Sequence, residues 1–279
     1  MSESFGPWSL EALIAVGGLG ELWRASRAAQ LVALKRLHTH LARNDDVRAQ
    51  FTLEQQLTTE LPRHPNVVHA DEAGSVDGRP YIALDLAPGE DLRRMLAPPV
   101  VDPAAARGTP RVDRAVDPPI EPPITVLPRA RVRAIAIAAC EAAAHLHDHG
   151  YVHGDISPGN LVVSTADHVT LVDLGIARRI GGAGVVRGTH AYMAPEQVRG
   201  EPWTAATDVF ALGVVLWELV AGTRLFHRGP PWLTMAAVVE AAAPALDDPA
   251  LDAIVQAALV KDPAARIASA AELAARLRA

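Results

Sequence analysis

The chain has 279 residues, 49% of them hydrophobic but only 4% aromatic, enough apolar material for two small domains or one bilobal domain packed mainly through helices. With 32 Asp and Glu against 26 Lys and Arg, its net charge is −6 and its pI near 6.0, which argues against a nucleic-acid-binding protein, where a basic face is usual. The single cysteine, Cys140 in "AIAIAACEAAA", excludes an internal disulfide framework and reads as a buried, inert thiol. The start "MSESFGPWSL" lacks a basic-then-apolar leader, and "VFALGVVLW" is too short to span a bilayer, so the expectation is a soluble cytoplasmic protein with no membrane segment.

In chain order, short strands are expected over Trp8–Val16, Glu21–Ser26 and Leu31–Arg36, the first two joined by a glycine-rich turn. A helix follows from about Asp45 to Leu61, stopped by Pro62. "NVVHADEAG" and "RPYIALDLA" read as two more strands around the hairpin signal "SVDG". The stretch from about 97 to 128 is dense in Pro and charge, and reads as a mobile insertion; "PPIEPP" within it could form polyproline II, but a solvated spacer suits it better. Beyond Arg129 the pattern is helical: "RVRAIAIAACEAAAHLHDHG" is one long helix closed by Gly150, and "TDVFALGVVLWELVAG" is apolar all round and must be buried. "SAAELAARLRA" closes the chain as an amphipathic helix.

Chemistry gathers at a few points. In "VGGLGELWRA", Gly17, Gly18 and Gly20 let backbone approach a ligand, although glycines are common in hairpins for conformational reasons alone. "VALK" puts Lys35 on the third strand among apolar neighbours. On the following helix Val47, Phe51, Leu57 and Leu61 mark the buried stripe, and Glu54 lies on it. A carboxylate facing the core needs a cation, and Lys35 is the natural partner; alternatively Glu54 borders the stripe and stays wet. "HGDISPGN" then supplies Asp155 and Asn160, and thirteen residues on "LVDLGIAR" supplies Asp173. These hard oxygens on loops around a short hairpin suit Mg²⁺ and phosphates.

"VGGLGELWRA", "VALK", "HGDISPGN", "VDLG", "GTHAYMAPEQ", "TDVFALGVVLWELVAG" and "KDPAARIAS" together resemble the ordered motifs of a bacterial serine/threonine protein kinase of the eukaryotic-like type. The resemblance implies an α+β bilobal fold over residues 1–279. It has a small antiparallel-sheet lobe with one helix (about 1–86), a hinge (about 85–89) and a larger helical lobe (about 89–279). It implies ATP and Mg²⁺ as cofactors and a protein substrate with a Ser or Thr acceptor, and names no regulator. By that resemblance Val16, Gly17, Gly18, Gly20, Leu22, Ala33, Leu84, Asp85, Ala87, Asp91 and Leu161 surround ATP, with Leu84 as gatekeeper. Lys35, paired to Glu54, holds the α- and β-phosphates. Asp155 orients the acceptor hydroxyl and takes its proton, while Asn160 and Asp173 hold the metal. Glu196 pairs with Arg266, Asp208 braces the catalytic loop, and Thr189 favours Ser/Thr acceptors.

Four positions depart from the pattern. Ala15 stands for the first glycine of the loop, and Leu174 for the usual Phe after Asp173. Gly154 replaces an Arg that in the family grips a phosphorylated residue of the activation segment. That segment here, "ARRIGGAGVVRG", offers no Ser, Thr or Tyr before Thr189, so clamp and ligand are missing together and activity independent of activation-segment phosphorylation is expected. Ser157 replaces a Lys that contacts the γ-phosphate, a loss that Arg178 or Arg179 could offset. A pseudokinase acting as a nucleotide-binding module is the main alternative. A small-molecule phosphotransferase shares "HGD" and Asn160 but not "GTHAYMAPEQ" and Arg266. The closeness of His145, His147, His149 and His153 raises a metal site, but only His145 and His149 share a helical face, and His147 and His153 read better as packing residues of the catalytic loop.

Overall fold

Alternation of side chains along the fourth strand organises the small lobe. In the computed structural model, which describes residues 3–97, 124–182 and 186–279, six antiparallel strands lie in the order β1-β2-β3-β4-β6-β5. They are β1 (Glu3–Phe5), β2 (Trp8–Val16), β3 (Gly20–Arg27), β4 (Gln30–Leu37), β5 (Ala70–Val76) and β6 (Arg79–Asp85). Val32 and Leu34 of β4 pack with Phe5, Trp8, Leu10 and Tyr81 on one face. Ala33 and Leu37 face the other way, onto Phe51, Ile82 and Leu84. Lys35, of the same parity as Ala33 and Leu37, is thereby carried to the side of helix α1 (Asp45–Glu60). The side chain of Asn44 caps α1 by accepting the Val47 N–H at 3.0 Å. The first strand, β1, has no counterpart in the sequence reading.

The expected strand over 66–74 begins late, at Ala70. Its first residues cross to the large lobe, where Val68 N donates to the Leu171 carbonyl at 2.9 Å and Leu171 N to that of Asn66 at 2.8 Å. Beyond the hinge come β7 (Glu90–Asp91), α2 (Leu92–Met95), α3 (Arg129–Asp148), β8 (Tyr151–Val152), β9 (Leu161–Val163), β10 (Val169–Leu171) and β11 (Arg178–Arg179). Helices α4 (Pro195–Val198), α5 (Ala205–Ala221), α6 (Pro231–Glu240), α7 (Pro249–Ala258) and α8 (Ala270–Arg278) complete the chain. The core helix α5 is buried continuously from Ala206 to Leu219 and stops at Gly222, whose φ of +70° gives a left-handed cap. Cys140 is buried in α3, and burial pushes its thiol far up, as an inert core residue should be.

The expected insertion is narrower than 97–128 where its flanks are described. Ile124 and Leu127 are buried, Ile124 N donates to the Gly222 carbonyl at 2.9 Å, and Thr125 N to that of Leu96 at 2.9 Å. Two apolar side chains thus anchor its end to the core; residues 98–123, including "PPIEPP", lie outside the described residues. Among the described residues no helix is long and apolar enough to cross a membrane.

Candidate active site

Lys35 Nζ lies 2.5 Å from Glu54 Oε1 and 2.8 Å from Asp173 Oδ1, so one ammonium joins β4, α1 and the loop after β10. Glu54 is only 1% exposed, as its place on the apolar stripe predicts. Burial pulls the Lys35 ammonium down, but Glu54 and Asp173 outweigh it and hold it above its ordinary value. The Lys35 charge holds the Asp173 carboxyl below the usual carboxylate range. For Glu54 burial wins, and its carboxyl is raised despite Lys35. A further clasp was invisible in the sequence: Gln50, one turn before Glu54, accepts from Arg187 Nη1 at 2.5 Å through Oε1 and donates through Nε2 to the Gly175 carbonyl.

The loop 153–160 is held from beneath by α5. Asp208 accepts the N–H groups of His153 and Gly154, both at 2.8 Å, and pairs with His147 Nε2 at 2.9 Å. Burial works against the ionised Asp208, yet these partners keep its carboxyl below its ordinary value. Asp155 Oδ1 accepts the Thr189 N–H at 2.8 Å, and Asn160 Nδ2 reaches the Asp155 carbonyl at 2.8 Å and Oδ2 at 3.2 Å. Burial raises the Asp155 carboxyl, partly offset by the Thr189 N–H. Asn160 is joined to the Asp173 loop through Val172 N, which donates to its carbonyl at 2.9 Å. Glu196 and Arg266 form a buried two-pronged pair at 2.7 and 3.0 Å, as expected.

Of the residues expected around ATP, Leu22, Ala33 and Leu84 share one apolar cluster with Val172, next to Asp173. Leu161 is buried, Val16 is exposed at the end of β2, Asp85 ends β6 and Ala87 follows it in the connection to β7. Gly20 is required for chain packing, because a Cβ there would lie 2.2 Å from the Arg36 carbonyl oxygen, whereas a Cβ at Gly17 would meet the Gly20 carbonyl oxygen only at an ordinary 3.7 Å and Gly18 faces open space. His38 Nε2 meets the Gly17 carbonyl at 2.9 Å and steadies this turn. Asp91 caps α2 by accepting the Arg94 N–H at 3.0 Å, a local duty the motif did not suggest. Leu174 is buried in the large hydrophobic core.

Two departures acquire a physical basis. Gly154 has φ +76°, and a Cβ there would lie 2.3 Å from Cζ3 of Trp203, so the space a larger residue needs is filled by indole. Ser157 is 1% exposed and its hydroxyl has no partner among the described residues. Of the two cations that could offset the missing charge, Arg178 stacks 3.9 Å over the Trp203 ring and Arg179 sits 5.1 Å over Tyr151. Strand β11, which carries both, pairs with β8 and fixes those directions. The histidines form no metal site among the described residues; His147 serves Asp208, and His145 stacks on His64 and meets the His149 ring at a tilt.

Residues 8–275 match the family described as Protein kinase domain. Similar proteins include the probable serine/threonine-protein kinase CE0033 of Corynebacterium efficiens, 31% identical over 97% of this chain and 40% of its own length. Serine/threonine-protein kinase PknD of Mycobacterium tuberculosis is 31% identical over 98% of this chain and 40% of its own. PknA of the same species is 31% identical over 95% and 59%. The chain thus spans only part of the length of these relatives. With a family match from 8 to 275 laid over a Lys35–Glu54–Asp173 cluster and a braced Asp155, the chain belongs to the protein kinase family.

Proposed function

We propose that the chain transfers the γ-phosphoryl group of ATP to a Ser or Thr hydroxyl of a protein, using Mg²⁺ and needing no phosphate on its activation segment. The observation that carries this reading is Lys35, whose ammonium meets Glu54 and Asp173 at once, so the phosphate-binding cation is already positioned. Asp155 accepts the acceptor proton, its carboxylate aimed by the Thr189 N–H and the Asn160 amide. The residues fit a metal: Asn160 uses its amide nitrogen and Asp173 its Oδ1 on the protein, and Asn160 Oδ1 and Asp173 Oδ2, hard oxygens both, accept no hydrogen bond among the described residues. When bound, Mg²⁺ neutralises phosphate charge. The Ser/Thr assignment rests on the names of the similar kinases and on Thr189 beside Asp155.

Phosphorylation independence is supported by Gly154, which carries no cation, and by a segment from Leu174 to Gly188 without Ser, Thr or Tyr. Without a cation at Ser157, one preorganised contact to the transferring group is lost, an effect of about 10²–10³-fold on kcat in enzymes where such a contact was removed. Slow catalysis is therefore part of the reading. The test is transfer of labelled γ-phosphate to the protein and to a basic generic substrate, beside Asp155→Asn. Label on Ser or Thr that falls about 10²–10⁴-fold in the variant supports the proposal. Retained Mg²⁺–ATP binding with no transfer selects a nucleotide-binding pseudokinase instead.

A further inference from the structure

Trp203 lies in the loop before α5 and is completely buried, yet the resemblance assigns it nothing. Its ring occupies the volume above the Gly154 α-carbon, on the residue next to Asp155. Its backbone grips the start of the activation segment: Gly181 N donates to the Trp203 carbonyl at 2.8 Å, and Trp203 N to that of Gly182 at 3.1 Å. On its outer side the Arg178 guanidinium stacks at 3.9 Å. The Gly154 peptide is fixed on its remaining sides, since its N–H donates to Asp208 and its carbonyl accepts from Gln197 Nε2, both at 2.8 Å. One residue therefore joins three parts of the site: its indole touches Gly154 of the catalytic loop and Arg178 of β11, and its backbone holds Gly181 and Gly182 of the activation segment.

Resting on the phosphorylation-independent reading above, we propose that Trp203 is a positioning residue. It holds Gly154, and through it Asp155, in register with the activation segment, by packing in place of a phosphate–arginine pair. A phosphate clamp is added and removed; an indole wedged over a glycine is permanent. Any side chain at position 154 competes with the indole, so Gly154 and Trp203 form one device.

The test uses the full chain, treated with a phosphatase, and measures steady-state transfer from ATP to a Ser/Thr peptide. For Trp203→Ala the expected result is a kcat about 10- to 100-fold lower with the KM for ATP within about twofold, because a displacement of about 1 Å at the reacting groups costs about 10²-fold. Trp203→Phe restores most of kcat. Wild-type kcat in a folded Trp203→Ala, or an equal loss in kcat and ATP affinity, overturns the proposal. Should Trp203→Ala fail to fold, Gly154→Ala pushes the indole instead: a lowered kcat at unchanged ATP KM supports the device, and wild-type kcat overturns it. Amide hydrogen exchange separates this idea from the transfer reaction. If the wild type transfers nothing, protection at Gly154 and Gly181 that Trp203→Ala or Gly154→Ala abolishes still supports the brace and sinks only the transfer reading. Unaltered protection sinks the brace.

Discussion

Two neighbouring regions on either side of Asp155 are built on opposite principles. Toward helix α1, Lys35, Glu54 and Asp173 are held by charge, a buried cation between two carboxylates. Toward the activation segment, Gly154, Trp203 and Arg178 are held by contact and stacking, with a glycine in the place the family gives to a cation. Chemistry on phosphates demands charge at fixed points. Control of a loop's position does not, and packing serves equally well provided the geometry never has to change. The contrast accounts for a glycine at 154 beside an intact Lys35, Glu54 and Asp173; it does not account for Ser157, where a cation expected on the phosphate side is missing.

Breaking the packed region should have the largest effect on stability. Trp203→Ala removes a fully buried indole and should cost about 3–5 kcal/mol, read as a lower denaturation midpoint at unchanged m value. Glu196→Ala is the comparison in an ionic region. It leaves Arg266, which cannot shed its proton, buried without its carboxylate, and should also cost about 3–5 kcal/mol by the same measurement.

Lys35→Met sharpens the difference, because transfer should be lost while the fold survives. Glu54, already raised by burial, takes up a proton instead of remaining an unpaired buried charge. The sign follows. A carboxyl whose folded-state pKa lies above its unfolded value makes the folded state bind the extra proton, so the variant's stability falls as pH rises through that window. A flat pH profile between the ordinary Glu value and neutrality would break this account. Asp208 has the opposite sign. Its folded value is depressed, so it contributes stability above the ordinary Asp value that is lost as pH falls through the folded value; Asp208→Asn should flatten that acid limb.

The smallest effect is expected at Gln50. Gln50→Ala removes the bridge from α1 to Gly175 and Arg187, and should lower kcat about two- to fivefold with less than about 1 kcal/mol of stability, as for one neutral hydrogen-bonding group. A loss as large as that of Trp203→Ala would place positional control in this clasp instead of in the indole.

Periodicity and spacing made much of the molecule legible. The parity of β4 and the stripe of α1 direct Lys35 and Glu54 toward each other before any coordinates exist, and a buried carboxylate then requires the cation. Gly150 and Gly222 mark two helix ends because only a left-handed residue closes them cheaply. Tertiary structure alone decided the rest. Trp203 over Gly154, the Thr189 N–H on Asp155 and Gln50 between Gly175 and Arg187 join segments far apart in the chain. The same holds where residues 66–68 leave their expected strand to pair with Leu171 across the lobes. Local propensity leaves no mark of such contacts. Their partners are chosen by shape and by hydrogen-bonding need only once the two lobes and the activation segment have come together.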